Sequence, residues 1–239
     1  MTDVSAPVFM SSPSKAELLR SLGKLVRGLS AVFWALPLAL VIDVQTTQSD
    51  WVFSLGYFGM APSLGAAALL YFGLWQMSGF QKQERVWTRA IERTQLLVVV
   101  LFGLSPFLYW WRRMPFVPFY NAMLLMLFVS FVFVLFNLNE MLQRLAAMLP
   151  DETLRLETKL FTHFNRGMLL FSPACVAIFF AALYGLDHLP PELIPYFVRA
   201  KDFGVWVLVF LVLMPLAMTM ALIWKIKEVI FNSVIESHT

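Results

Sequence analysis

Met114–Asn139 reads MPFVPFYNAMLLMLFVSFVFVLFNLN, without a single Asp, Glu, Lys or Arg. A helix of about 20 mostly apolar residues crosses a bilayer core of roughly 30 Å, so this stretch is long enough to span a membrane. Five further charge-free blocks surround it: Gly28–Ile42, Trp51–Gln81, Thr94–Trp111, Gly167–Leu186 and Phe203–Trp224. Gly28–Ile42 is the shortest, but Arg27 and Asp43 at its ends can snorkel towards water. The pattern predicts an all-α, polytopic membrane protein of six transmembrane helices, arranged as three antiparallel hairpins.

Composition agrees. The 239-residue chain is 59% hydrophobic and 14% charged, where an average soluble domain carries about 25% charged residues. Its mean hydropathy is +0.72. Six spans and their connections use up the length. The expected organisation is a cytoplasmic amphipathic segment at 1–27, a membrane domain at 28–224 and a cytoplasmic tail at 225–239. The spans are expected near 28–44, 56–77, 94–111, 116–138, 168–186 and 203–224. The N-terminus lacks a signal-peptide pattern, because its polar lead is long and no small-x-small site follows the apolar run. The lone Cys175 reads as a small buried hydrophobe.

Loop charge sets the orientation. Lys and Arg concentrate on the cytoplasmic side of spans. The N-terminal segment (Lys15, Arg20, Lys24, Arg27), the second loop (Lys82, Arg85, Arg89, Arg93), the fourth loop (Arg144, Arg155, Lys159, Arg166) and the C-terminus (Lys225, Lys227) hold 14 of the 18 basic residues. The alternate segments hold only Arg112, Arg113, Arg199 and Lys201. Both termini are therefore expected in the cytoplasm. The sequence pI of about 9.1 follows from these flanking residues, so nucleic acid is not an expected partner. Trp75, Trp87 and Trp224 fall near the inner ends of spans, as headgroup-level aromatics do. Trp34, mid-span, reads as a packing residue. Compact loops and the missing targeting signal suggest a bacterial inner membrane.

The cytoplasmic segments have helical, amphipathic patterns. Ser14 and Glu17 fit a capping box. Leu18, Leu22, Leu25 and Leu29 then recur on one face, with Arg20, Lys24 and Arg27 on another. Lys82, Arg85, Arg89 and Arg93 recur likewise, opposite Trp87, Ala90, Ile91 and Thr94. Two readings fit these seven basic residues, Arg20, Lys24, Arg27, Lys82, Arg85, Arg89 and Arg93. They contact an anionic inner leaflet, at about 1 kcal/mol each, or they only orient helices that extend past the membrane.

A weak threefold pattern places a Ser before a Pro in each odd span, at Ser30/Pro37, Ser105/Pro106 and Ser172/Pro173. Kinks are expected at these prolines and at Pro215.

No catalytic or cofactor motif stands out. The histidines, His163, His188 and His238, all lie outside the apolar blocks, which argues against a membrane haem with axial His ligands. HExxH, G-x-S-x-G and Gly-rich phosphate loops are absent from the sequence. No carboxylate falls mid-span, where one would be costly and functional. No catalytic, cofactor-binding or metal residue and no cofactor is therefore expected. Two polar clusters remain as candidate sites. Gln76, Asn137, Asn139, Glu140 and Arg144 share the cytoplasmic boundary, as a lipid-headgroup or ion site or as hydrated helix ends. Arg112, Arg113, Asp187 and His188 share the external boundary, as an anion clamp or as interfacial anchors.

These features lean away from an enzyme and towards a non-catalytic accessory, scaffold or partner-binding subunit, with another membrane protein or a second copy as partner. A transporter or channel for an apolar or amphipathic solute is the alternative. A lipid-modifying enzyme using Glu140 or His188 is the third.

Overall fold

The computed structural model describes residues 15–49, 54–80, 84–149, 152–184 and 194–236, without the side chains of 15–19, 179–184, 194–203, 205, 208 and 233–236. The described residues are helical, with no strand among them. They form α1 (Lys15–Gln48), a 3-10 turn (Gly56–Met60) leading into α2 (Ala61–Met77), α3 (Arg85–Leu104), α4 (Pro106–Arg113), α5 (Pro118–Met148), α6 (Glu152–Tyr184) and α7 (Ile194–Glu236). Five stretches are long and apolar enough to cross a membrane: Arg20–Gln48, Gly56–Met77, Arg85–Arg113, Pro118–Met148 and Val209–Asn232. The chain is thus an all-helical protein built for a membrane. The sixth apolar block, Gly167–Leu186, makes the C-terminal half of α6 as far as Tyr184.

Helix lengths are the first departure from the sequence reading. The amphipathic N-terminal segment is no separate element, since α1 runs from Lys15 through the first span. The tail continues α7 to Glu236, and α5 continues past its apolar block to Met148. Leu25, Leu29, Trp87, Ile91, Met141, Leu142, Leu145, Leu154, Ile226 and Ile230 are all buried in one core. That core takes in residues 25–36 of α1, 87–101 of α3, Leu154 and Leu169 of α6, and the last halves of α2, α5 and α7. It is therefore weighted towards the basic end of the molecule. Where it extends beyond the charge-free blocks, burial from water supplies about 25 cal/mol per Å². Within the blocks, packing must hold the helices together, because lipid tails are as apolar as leucine.

Neighbours in sequence pack side by side, in the order α1, α2, α3, α5, α6 and α7, and α7 closes back on α1. The tightest crossing joins α1 to α2 at two glycines. A Cβ added to Gly73 would lie 2.8 Å from Val32 Cγ2 and 3.0 Å from the Gly28 carbonyl oxygen. One added to Gly28 would lie 2.7 Å from the Gly73 carbonyl oxygen. Close backbone approach at small residues is how membrane helices gain contact.

The prolines act unequally. Pro37, Pro173 and Pro215 lie inside continuous helices. At Pro106 the helix is interrupted: α3 ends at Leu104, Ser105 forms a turn, and Pro106 starts α4 at the position where its missing N–H costs nothing. α4 is then tied back by the Tyr109 hydroxyl, which donates to the Gly56 carbonyl at 2.7 Å. Gly56 itself has φ +55°, a backbone conformation that favours glycine.

Two tryptophans reverse their expected roles. Trp87 is fully buried, edge-on to Phe80 at 6.1 Å. Trp34 is 66% exposed on the outer surface of α1. Trp75 and Trp224 are exposed, as headgroup-level rings would be.

Candidate functional site

Three polar features gather around the C-terminal half of α5. The first is a cleft of about 210 Å³ between α3 and α5. Arg89 and Arg93, one turn apart on α3, face Asn137, Glu140 and Arg144 on α5 across it. Arg144 donates to Glu140 Oε1 at 2.6 Å and to the Val86 carbonyl at 3.2 Å, so its guanidinium is held by both walls. Asn137 donates to the Phe133 carbonyl at 2.8 Å. Arg89 and Arg93 are exposed, with Trp87, Ile91 and Thr94 buried behind them.

The second feature is a buried polar knot among α5, α6 and α7. Asn139, Asn165 and Thr219 are 3%, 1% and 0% exposed. The Asn139 amide donates to the Leu135 carbonyl and to Thr219 Oγ1, each at 2.8 Å. The Asn165 amide lies 3.0 Å from Asn139 Oδ1, 3.0 Å from Thr219 Oγ1 and 3.3 Å from the Pro215 carbonyl. The Thr219 hydroxyl donates to the same Pro215 carbonyl at 2.8 Å. An amide has two protons, so Asn165 serves three acceptors by sharing. Asn165 Oδ1 and the Thr158 and Thr162 hydroxyls are buried without a hydrogen-bond partner.

The third feature is a wider cleft of about 400 Å³ between α5 and α6, lined by Gln143, Lys159, Thr162, His163 and Arg166. Arg166 also sits 4.4 Å from the Phe136 ring centroid, a cation–π contact across the same helix pair.

The expected cytoplasmic cluster therefore divides. Asn137, Glu140 and Arg144 come together, and Arg89 and Arg93 join them from another loop. Asn139 turns to the opposite side of α5, into the knot. Gln76 is half-buried on α2, which packs against α1 and α3, and does not line the cleft. Arg20, Lys24, Arg27 and Arg85 are exposed. Leu25, Leu29 and Trp87 beside them on α1 and α3 are covered by the bundle, while Val86 stays exposed. Lys82 lies outside the described residues. In the external cluster, the Arg113 guanidinium is 5.2 Å from the Tyr109 ring centroid and Arg112 is half-buried beside it. Asp187 and His188 lie outside the described residues, as does Ser14 of the capping box, while the Glu17, Arg199 and Lys201 side chains are not described.

Sequence reasoning missed Asn165, Thr158 and Thr162. Their signal was available: Thr158, Thr162, Asn165, Leu169 and Ser172 follow a 4-3-4-3 spacing, one face of a helix. All five are buried. The charges between them, Lys159 and Arg166, made the segment resemble a solvated loop.

No family model, characterised protein or solved structure matches this chain.

Proposed function

We propose that this is a non-catalytic integral membrane protein of the bacterial inner membrane, with six spans and both termini in the cytoplasm, that serves as a partner-binding or scaffold subunit. The observation that carries this reading is the outer half of α5. From Met114 to Phe133 no residue is buried, although almost all are apolar. Only 11% of the residues in the apolar window of this span are buried, against 33–39% in the other four. Leu125 and Met126 are 57% and 54% exposed. The chain thus buries α5 through its last half and leaves the first half partly exposed, held mainly by α4 through Phe107 against Phe119 and Tyr120. The surface it presents is broad, apolar and partly built of methionine, which adapts to varied partners. A second membrane protein packed there would gain the contacts that hold helices together in lipid.

A photo-crosslinking residue at Leu125 or Met126, irradiated in native membranes, should yield one discrete protein adduct. The same residue at Val99 of α3, also exposed, should yield none. Lipid adducts alone at all three positions would defeat the partner-binding reading.

One observation favours transport of an apolar solute as a second reading. A groove of about 540 Å³ lies along α7, bordered by Phe33 of α1 and by Ala217, Met220, Ala221 and Trp224. Its walls are mostly apolar, with Lys225 and Glu228 at its end, as a path for an amphipathic solute would be.

A further inference from the structure

We infer that the cleft between α3 and α5 binds a phosphate ester at the membrane surface, the headgroup of an anionic phospholipid. The cleft combines features that neither helix shows alone. Three arginines, Arg89, Arg93 and Arg144, line it against one carboxylate, Glu140. Glu140 is already engaged by Arg144 at 2.6 Å, so the positive charge of Arg89 and Arg93 is left uncompensated on the cleft wall.

Geometry completes the site. Arg144 is fixed by Glu140 and by the Val86 carbonyl, which lowers the entropy lost when a ligand binds. Arg89 and Arg93 are i,i+4 on one face of α3, and their planar guanidinium groups match phosphate oxygens in pairs. Trp87, Ile91 and Thr94 pack that helix firmly from behind. The cleft holds about 210 Å³, below the roughly 300–1,000 Å³ of sites that enclose a drug-sized molecule. It suits a headgroup whose acyl chains remain outside.

Depth selects the membrane as the source. Arg93 immediately precedes the charge-free block Thr94–Trp111, and Glu140 immediately follows Met114–Asn139. The cleft therefore sits where two apolar spans end, at the level of lipid phosphates, between helices rather than on a flat surface. Basic sites between spans on this side of a membrane recognise anionic headgroups.

The test is native mass spectrometry of the full detergent-purified chain titrated with phosphatidylglycerol or phosphatidylcholine. The unaltered protein should retain phosphatidylglycerol preferentially. Arg89→Gln with Arg93→Gln should weaken that binding about thirtyfold while leaving the thermal midpoint unchanged, since both side chains are exposed. Arg20→Gln with Lys24→Gln removes equal charge from α1 and should change binding by less than about twofold, because those residues lie outside the cleft. Equal loss in both double variants would reduce the effect to general surface charge and overturn the site. So would equal retention of the two lipids. Arginine-dependent binding of inorganic phosphate to the lipid-free protein, without preference for phosphatidylglycerol, would overturn the lipid assignment in favour of a soluble phosphate.

Discussion

Gly73→Leu is expected to separate α1 from α2 and to lower stability by at least about 3 kcal/mol, the upper end of the usual overpacking cost. The reason is what the new side chain would meet. Its Cβ alone would fall 2.8 Å from Val32 Cγ2 and 3.0 Å from the Gly28 carbonyl oxygen. The second of these is backbone, which cannot rotate aside as a flexible side chain can. Helix propensity works in the opposite direction, since glycine is about 1 kcal/mol worse than alanine in a helix, but that gain is smaller than the steric cost. Gly103→Leu separates the two effects. Gly103 is exposed, and a Cβ there meets nothing within 4 Å. That variant should match or slightly exceed the parent in thermal unfolding in detergent, while Gly73→Leu falls well below both. Similar midpoints for Gly73→Leu and the parent would show that the helices do not cross at this point.

Asn165→Ala carries the second large effect. It removes the amide that serves Asn139 Oδ1, Thr219 Oγ1 and the Pro215 carbonyl. A buried group left without its hydrogen bond costs about 1–3 kcal/mol. Hydrogen bonds between membrane helices average only about 0.6 kcal/mol and reach about 1.7. Asn165 lies at the meeting point of three helices, so a loss of about 1–2 kcal/mol is expected. The loss should shrink when the whole knot is replaced. Asn139→Leu, Asn165→Leu and Thr219→Val together leave few unsatisfied groups and should recover most of the lost stability. A triple variant less stable than Asn165→Ala would mean that the knot holds water or a ligand and is not simply packing.

Much of the fold was legible because water and lipid write different patterns. The described parts of the six charge-free blocks are largely helical, and on α1 Arg20, Lys24 and Arg27 are exposed while Leu25 and Leu29 are buried. These residues lie where the helix meets water on one side and the core on the other, so polarity alternates with helical period. Inside a span that contrast vanishes. A lipid-facing side chain and a core-facing one are equally apolar, which is why Trp34 was read as packed although it is 66% exposed. The crossing at Gly28 and Gly73 was invisible for a related reason, because a small residue reveals its use only when its neighbour is known.

The candidate site was half legible. Asn137, Glu140 and Arg144 share one helix face, and their i+3 and i+4 spacing was evident. Arg89 and Arg93 were recognised as a basic stripe on a different loop. The hairpin pattern paired the third span with the fourth, α3 with α5, but it did not say which faces meet, because a short separate helix, α4, and its turns stand between them and set the register. Trp87 carried a misleading cue, since an aromatic at the end of a span fits the headgroup belt as well as the core. Asn165 was hidden by the charges around it, and only its partners Asn139 and Thr219, on two other helices, explain why an amide is buried there.

The account rests above all on the chain crossing a membrane with its basic, densely packed end on one side. Labelling of single cysteines by a membrane-impermeant maleimide in spheroplasts tests this directly, in a background where Cys175→Ser removes the only native thiol. Gln48→Cys and Met114→Cys, both exposed at the other end of the bundle, should label in intact spheroplasts. Ala147→Cys, exposed at the basic end of α5, should label only after the membrane is permeabilised. Labelling of Ala147→Cys in intact spheroplasts, or protection of either Gln48→Cys or Met114→Cys, would contradict it.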